Sequence, residues 1–310
     1  MTDQDKQEKI GKVTLDYQYY SGQDLYSDGD DIENRILDIV KTTPDYEHSR
    51  EIFSSWPVLY HLIRQRENIA IPMDIGRKDS VLEIGAGMGA VTGAFAKRAG
   101  SVDCIELSKR RSMINAWRHK DLDGIRIMVG NFKDIVITEK YDAVMLIGVL
   151  EYAENYVGGE DPYHEMLKKA ASCLKEGGRV YIAIENRLGM KYFSGYHEDH
   201  LGKAFAGIEG YTKEDKVRTF SKSELEKLVS ESGFGSLKFY YPMPDYKLPS
   251  AIYDESTFRD AHLEFSEYTN YDKDILHLFS QVRALESLRG SAEREIFANS
   301  FLVEAKRSAK

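Results

Sequence analysis

One stretch limits what this chain can become: Ser80-Val81-Leu82-Glu83-Ile84-Gly85-Ala86-Gly87-Met88-Gly89. Val81, Leu82 and Ile84 make a short apolar run suited to a buried strand. Gly85, Gly87 and Gly89 then alternate, and a residue without Cβ lets the backbone turn tightly and lets a ligand approach it closely. Val91, Ala94 and Phe95 follow at helical spacing. Strand, glycine turn and helix in that order read as a nucleotide site on an α/β sheet. Which nucleotide it holds stays open here, because Gly85, Gly87 and Ala90 also satisfy the loose dinucleotide spacing.

The alternation continues on both sides. Apolar strands are predicted at 81–84, 102–105, 125–129, 143–147 and 180–184. Helices are predicted at 91–98 and 109–118, and around Met166, Leu167, Ala170 and Leu174. Such alternation implies a parallel sheet with helices on both faces. Residues 1–10 read as disordered and 13–17 as a short strand or arm. Helical patterns around Ile36 and Leu62 then make residues 1–75 an N-terminal helical extension. The nucleotide-binding core is expected over 76–185. Residues 186–220 show no clear period and read as a lid. Residues 221–310 would complete the sheet with strands near 237–241 and 296–303, and they contain a second insertion over 243–295. Within that insertion Ile275, Leu278, Phe279, Val282 and Leu285 suggest an amphipathic helix, while Ser221 and Glu224 form a capping box for a helix over 225–232.

The formal charge of −9 and pI near 5.5 argue against non-specific binding to nucleic acid, which needs a basic surface. Lys109-Arg110-Arg111 reads as a solvated helix start. Cys104 and Cys173 lie inside apolar patterns, away from metal-ligand spacings, and read as buried thiols. No run is long enough to span a bilayer and the polar N-terminus lacks a signal-peptide pattern, so a cytoplasmic protein that does not enter membranes is expected. The oligomeric state is not legible.

Four features bear on the cofactor. Glu83 precedes the turn, and the three glycines alternate more tightly than a pyrophosphate loop requires. Glu106 ends the second strand, where a carboxylate can accept from two ribose hydroxyls. Asn131-Phe132 follows the third strand, where an amide and a backbone N–H could read an adenine edge. With Ile147-Gly148-Val149-Leu150-Glu151, this set resembles the S-adenosylmethionine (SAM) site of class I methyltransferases. The resemblance covers residues 79–185. It implies a Rossmann-like α/β fold with a seven-stranded, mostly parallel sheet whose last strand is antiparallel. It also implies that Glu83, Gly85, Ala86, Gly87 and Gly89 line the methionine and ribose of SAM. Glu106, with Leu107 beside it, would hold the ribose hydroxyls, Asn131 and Phe132 would contact adenine, and Ile147, Gly148 and Leu150 would pass the sulfonium. Arg66 could pair with the SAM carboxylate or be a surface arginine. An NAD-dependent oxidoreductase and a non-catalytic SAM-binding module remain the competing readings.

The acceptor is expected in the lid. Asn186 and Arg187 emerge at a strand end, and Arg187 with Arg218 could clamp an anion. His197 or His200 could instead act as a general base. His197, Asp199 and His200 lie too close together in sequence to converge readily on a metal, so none is expected. Tyr241, Tyr246 and Lys247 are wall candidates. The nucleic-acid amino-methylation signature is absent after the fourth strand. Glu185-Asn186-Arg187-Leu188-Gly189 and Asp245-Tyr246-Lys247-Leu248-Pro249 resemble a bacterial methyltransferase subgroup found in glycan and peptide natural-product pathways, one type of which methylates the C-terminal carboxylate of lanthipeptide precursors. The arginine-bearing lid favours a carboxylate on a modified peptide. A hydroxyl on a glycan or other small molecule is the alternative.

Overall fold

The computed structural model describes residues 6–24, 27–43, 45–48, 51–53, 55–267 and 275–308. The chain divides into two compact units, Met1–Leu146 with Cys173–Gly178, and Ile147–Ser172 with Arg179–Lys310.

The first unit is built on β1 (Gln7–Ile10), β2 (Val13–Tyr19), β3 (Ser80–Ile84), β4 (Ser101–Glu106), β5 (Ile125–Gly130) and β6 (Tyr141–Ile147), in the order β1-β2-β5-β4-β3-β6. β2, β5, β4, β3 and β6 run parallel, while β1 is antiparallel to β2. The last four residues of β3 are all buried, as expected of a central parallel strand covered on both faces. One expectation about the N-terminal region fails: Gln7–Ile10 is a strand rather than disordered. It forms a β-hairpin with β2, which lies where a short strand or arm is expected and pairs with β5. A positive-φ Gly11 closes that hairpin. The sequence pattern concealed β1 because only Ile10 of its four residues is buried.

Helices Asp30–Thr42 and Trp56–Leu62 follow, and Pro57 sits in the first turn of the second, where its missing N–H is not needed. Ile36, Ile39, Val40, Val58 and Leu62 pack on Ile114 of helix Lys109–Arg118 and on Met88 of the glycine turn. Each such buried side chain contributes on the order of 1.5–3 kcal/mol. The extension therefore braces the turn from behind, and Arg118 ties the two by donating to the His61 and Met88 carbonyls at 2.7 and 3.0 Å. Lys109–Arg111 is not a solvated helix start. Asp24 accepts from the Lys109 N–H at 2.7 Å, and buried Arg111 pairs with Glu33 and Asp28 at 2.9 and 2.6 Å.

The second unit holds β7 (Leu174–Glu185, whose first residues belong to the other unit), β8 (Phe234–Met243), β9 (Ala251–Asp254) and β10 (Ser300–Arg307), in the antiparallel order β7-β10-β8-β9. β10 is the expected antiparallel closing strand, running against both β7 and β8. The described residues thus carry ten strands rather than seven, the additions being β1, β2 and β9. The capping box forms as predicted, Ser221 and Glu224 each bonding the other's backbone N–H at the start of helix Lys222–Glu231. The helix predicted around Ile275–Leu285 is only Gln281–Ser287. Leu276, Leu278 and Phe279 lie outside it and are exposed, so their spacing reflects no buried helical face. Residues 268–274 of the predicted insertion lie outside the described residues. Both cysteines are buried free thiols, as expected.

Candidate functional site

In the first unit the glycine turn hangs from the ends of β3 and β4. The Gly85 and Ala86 N–H groups donate to the Ile105 carbonyl at 2.8 and 3.1 Å. Two glycines show why this residue type is required. Gly89 has φ +76°, and a Cβ there would lie 2.3 Å from Asn115 Oδ1. Gly87 has φ +54° with open space where a Cβ would stand. The turn is therefore packed tightly on its inner side and clear at Gly87. Glu106 is buried and holds the turn from within. Its Oε2 accepts from the Gly87 N–H and its Oε1 from the Ser108 N–H, both at 2.8 Å. Burial raises its pKa against the opposing effects of Arg111 and these N–H donors. Each oxygen has a further lone pair with which to accept from a ligand hydroxyl.

Glu83 is buried beneath the turn and accepts from Thr92 Oγ1 at 2.6 Å. Burial pushes its pKa up to about 7, although Thr92, Cys104 and the Arg66 charge oppose the shift. Arg66 is a buried arginine rather than a surface one. It lies in a 3₁₀ segment, Arg64–Ala70, not in the preceding helix. Its guanidinium stacks on Tyr60 at 3.9 Å, and its Nε and Nη1 are buried without hydrogen-bond partners. A buried cation with open donors is costly and suits an incoming anion. Leu107 is half-buried, following Glu106. Beyond β5, Asn131 is half-buried and Phe132 buried. The Asn131 Oδ1 accepts from the Lys133 N–H at 2.9 Å, an Asx turn that commits the side-chain oxygen locally.

In the second unit, Ile147 and Gly148 precede a short 3₁₀ segment, Leu150–Tyr152, whose first residue is Leu150. Gly148 has φ +69°, and a Cβ there would meet the Tyr246 hydroxyl at 2.7 Å. Tyr246, a wall candidate from the sequence, thus packs directly on this segment.

Several residues expected to meet an acceptor are otherwise engaged. Asn186 is fully buried. Its Nδ2 donates to the Ile296 and Ala298 carbonyls, both at 2.7 Å, and its Oδ1 accepts from the Leu188 N–H. It pins the start of the lid. Arg187 is not a free anion clamp, because Glu224 neutralises it through bonds of 2.7 and 3.1 Å to Nε and Nη2. Arg218 lies among the rings of Tyr163, Tyr211 and Phe220, 5.6–6.0 Å from their centroids. His197 is exposed on a bridge to Ala204, apart from any enclosed group of proton acceptors. Tyr241 is buried, stacked on Phe258 at 4.4 Å, and donates to Glu295. It belongs to the core rather than to a binding wall.

His200, a candidate general base in the sequence, lies in a buried group whose other members the sequence reading did not join to it. Glu151 comes from the segment after β6 and Glu185 is the last residue of β7. Both are fully buried. His200 Nε2 lies 3.5 Å from Glu185 Oε2, and His200 Nδ1 bonds the Tyr152 hydroxyl at 3.0 Å. Lys247 ion-pairs with Glu185 and, at 2.8 Å, with Asp199. Lys191 also reaches Asp199, at 2.7 Å. Burial, reinforced by the Glu185 charge, pushes Glu151 up to about 8. Burial would raise Glu185 too, but Lys247 and His200 outweigh it and hold that carboxyl well below the usual range. For His200 burial works downward, and the two glutamates overcome it, giving about 9. The signal available beforehand was positional, since Glu185 ends an apolar strand and Glu151 lies shortly after another, at the ends where α/β sheets bind ligands.

Residues 82–180 match the family model described as "Methyltransferase domain". Solved structures similar to this chain include a SAM-dependent methyltransferase, possible histamine N-methyltransferase, from Thermotoga maritima. It is 17% identical, with TM-score 0.48, covering 81% of this chain and 92% of that one. A putative methyltransferase from Haloferax volcanii, solved with the Trm112 activator, is 19% identical, with TM-score 0.48 and coverage of 80% and 91%. Phosphoethanolamine N-methyltransferase 1 from Haemonchus contortus is 13% identical, with TM-score 0.48 and coverage of 90% and 49%.

Proposed function

We propose that this chain, a class I methyltransferase whose methyl donor is S-adenosylmethionine, methylates the hydroxyl oxygen of a small-molecule or glycan acceptor. On the donor side, Arg66 would pair with the SAM carboxylate, and its open buried guanidinium supports that role. Glu83 and the backbone of Gly85–Gly89 would line the methionine end, with Gly87 giving clearance. Glu106 and Leu107 would hold the ribose, Asn131 and Phe132 the adenine, and Ile147, Gly148 and Leu150 the neighbourhood of the sulfonium.

The acceptor reading rests on one observation: Glu151, Glu185 and His200 are buried together, while Arg187 is spent on Glu224. In the transfer, an oxygen lone pair forms the new C–O bond as the C–S bond breaks. The C–S electron pair goes to sulfur, S-adenosylhomocysteine leaves, and the hydroxyl proton must be lost. A carboxylate acceptor has no proton to lose and needs unpaired cations. Lys191 and Lys247 are both paired with acids, and of the expected clamp Arg187 is spent on Glu224, leaving only Arg218 with an open Nε. A hydroxyl needs a place to lose its proton, and Glu151, ionised above about pH 8, would be the base of the buried group. Alignment and exclusion of water would supply the rest of the acceleration.

The test uses SAM labelled in the methyl group and fractionated small-molecule and glycan acceptors. The expected product carries a methyl ether, stable to mild alkali. A label released by mild alkali would be a methyl ester and would overturn the hydroxyl reading in favour of a carboxylate.

A further inference from the structure

We infer that Glu151, Glu185 and His200 form a binding site for one divalent transition-metal cation, ligated by a carboxylate oxygen of each glutamate and by His200 Nε2. One ligand atom from each of the three side chains lies within 4.8 Å of the other two. Both glutamates are completely buried, and apart from the Lys247 ion pair on Glu185 Oε1 neither their carboxylate oxygens nor His200 Nε2 has a hydrogen-bond partner. Buried polar atoms are almost always satisfied, so four open acceptor or ligand atoms, with one from each side chain close to the other two, call for a partner. A cation satisfies several of them at once.

The surroundings suit a metal rather than a closed ion-pair network. Lys247 meets Glu185 through Oε1, and Oε2 is the oxygen that faces His200. Asp199 gives Lys247 a second anionic partner, so Oε2 can ligate while the lysine stays neutralised. Tyr152 occupies Nδ1, which fixes the ring so that Nε2 faces the carboxylates, as an outer partner does for a metal-bound histidine. Glu198 accepts from the His200 and Leu201 N–H groups at 2.8 and 2.6 Å and anchors the loop that carries the ring. One imidazole and two carboxylates select Mn²⁺, Fe²⁺, Co²⁺ or Zn²⁺ over Ca²⁺. With bonds of about 2.1 Å, neighbouring ligand atoms stand roughly 3–4 Å apart, so a small inward movement of the side chains completes the site. Three protein ligands leave positions open. A hydroxyl bound there becomes more acidic and loses its proton without a separate strong base. That use of the cation rests on the hydroxyl reading, whereas its binding does not.

The test is made on the full chain stripped of metal with EDTA, with neither SAM nor acceptor present. Titration with Mn²⁺, free ion being read by electron paramagnetic resonance, should show one site per chain. Glu151→Gln and His200→Gln should each weaken it by about tenfold or more, with folding checked by circular dichroism. Should a variant fail to fold, ¹⁵N-histidine resonances of the wild type are followed on adding Zn²⁺, and the nitrogen of one imidazole should shift at one equivalent. No Mn²⁺ or Zn²⁺ binding tighter than ~1 mM, or equal binding by folded variants, would overturn the inference. Metal binding with an alkali-labile product would sink the hydroxyl reading alone. An alkali-stable product without metal binding would sink only the metal site.

Discussion

Arg66 is the residue whose role changes most between a linear and a folded description. In sequence it could equally pair with a carboxylate or lie at the surface, and the fold removes the second alternative by burying it, stacking it on Tyr60 and leaving its donors open. If it meets the SAM carboxylate, Arg66→Ala should raise the SAM Kd about tenfold to a hundredfold by isothermal titration, the loss of a charge-assisted hydrogen bond. An unchanged Kd would return Arg66 to a packing role. Glu83 makes a pH-dependent prediction. It titrates near 7 in the folded chain against an ordinary value of 4.5. Between those values the folded state holds a proton that the unfolded state has released. Stability should therefore fall as pH rises from about 4.5 to about 7 and level off above, by on the order of 3 kcal/mol. Glu83→Gln should flatten that slope in urea titrations run at pH 5 and pH 8. Arg187 was legible as a charged residue at a strand end, but Glu224 was invisible as its partner because 37 residues separate them. Arg187→Ala should lower the thermal midpoint by a few degrees through loss of a partly exposed ion pair, leaving acceptor KM unchanged. A selective rise in KM would restore the clamp.

At the scale of elements, the strands of the core were the easiest features to read. Parallel strands are buried on both faces and appear as unbroken apolar runs such as Val144–Leu146, so length and flanking turns identify them. The capping box at Ser221 was equally local and equally legible. The helix expected around Ile275 was not, because helical spacing of apolar residues shows only that a face could be buried, and no element among the described residues covers Leu276, Leu278 or Phe279. Gly148 lies between these cases. Its place after β6 was legible, whereas its contact with Tyr246, 98 residues away, was not. Gly148→Ala should destabilise the chain by more than ~1 kcal/mol, combining positive-φ strain with the collision at the tyrosine hydroxyl. Adding Tyr246→Phe should recover the steric part, so the double variant should unfold at higher urea than the sum of single effects predicts. Strict additivity would mean that the strain is all in the backbone.

For the whole molecule, the N-terminal hairpin belongs to the first unit. β2 buries Val13 and Leu15 and covers the flank of β5. Removing residues 1–19 should uncover an apolar strand edge and produce aggregation visible by light scattering during refolding, where the full chain stays dispersed. A truncated chain that remains monomeric with the same thermal midpoint would show that the hairpin is dispensable. No helix among the described residues is long and apolar enough to cross a membrane.

The sequence by itself determined the class of fold, the resemblance to methyltransferases over the core that carries the glycine turn, and the location of that turn. These depend on short-range order: apolar runs, glycines at fixed offsets, and an acid at the end of the next strand. Only the tertiary structure decided which charges are spent and which are open. Arg187 and Asn186 found partners across the fold, Arg66 did not, and Glu151, Glu185 and His200 came together from three separated segments. Partnership between charges depends on distance in space and on burial, and a linear pattern carries neither quantity.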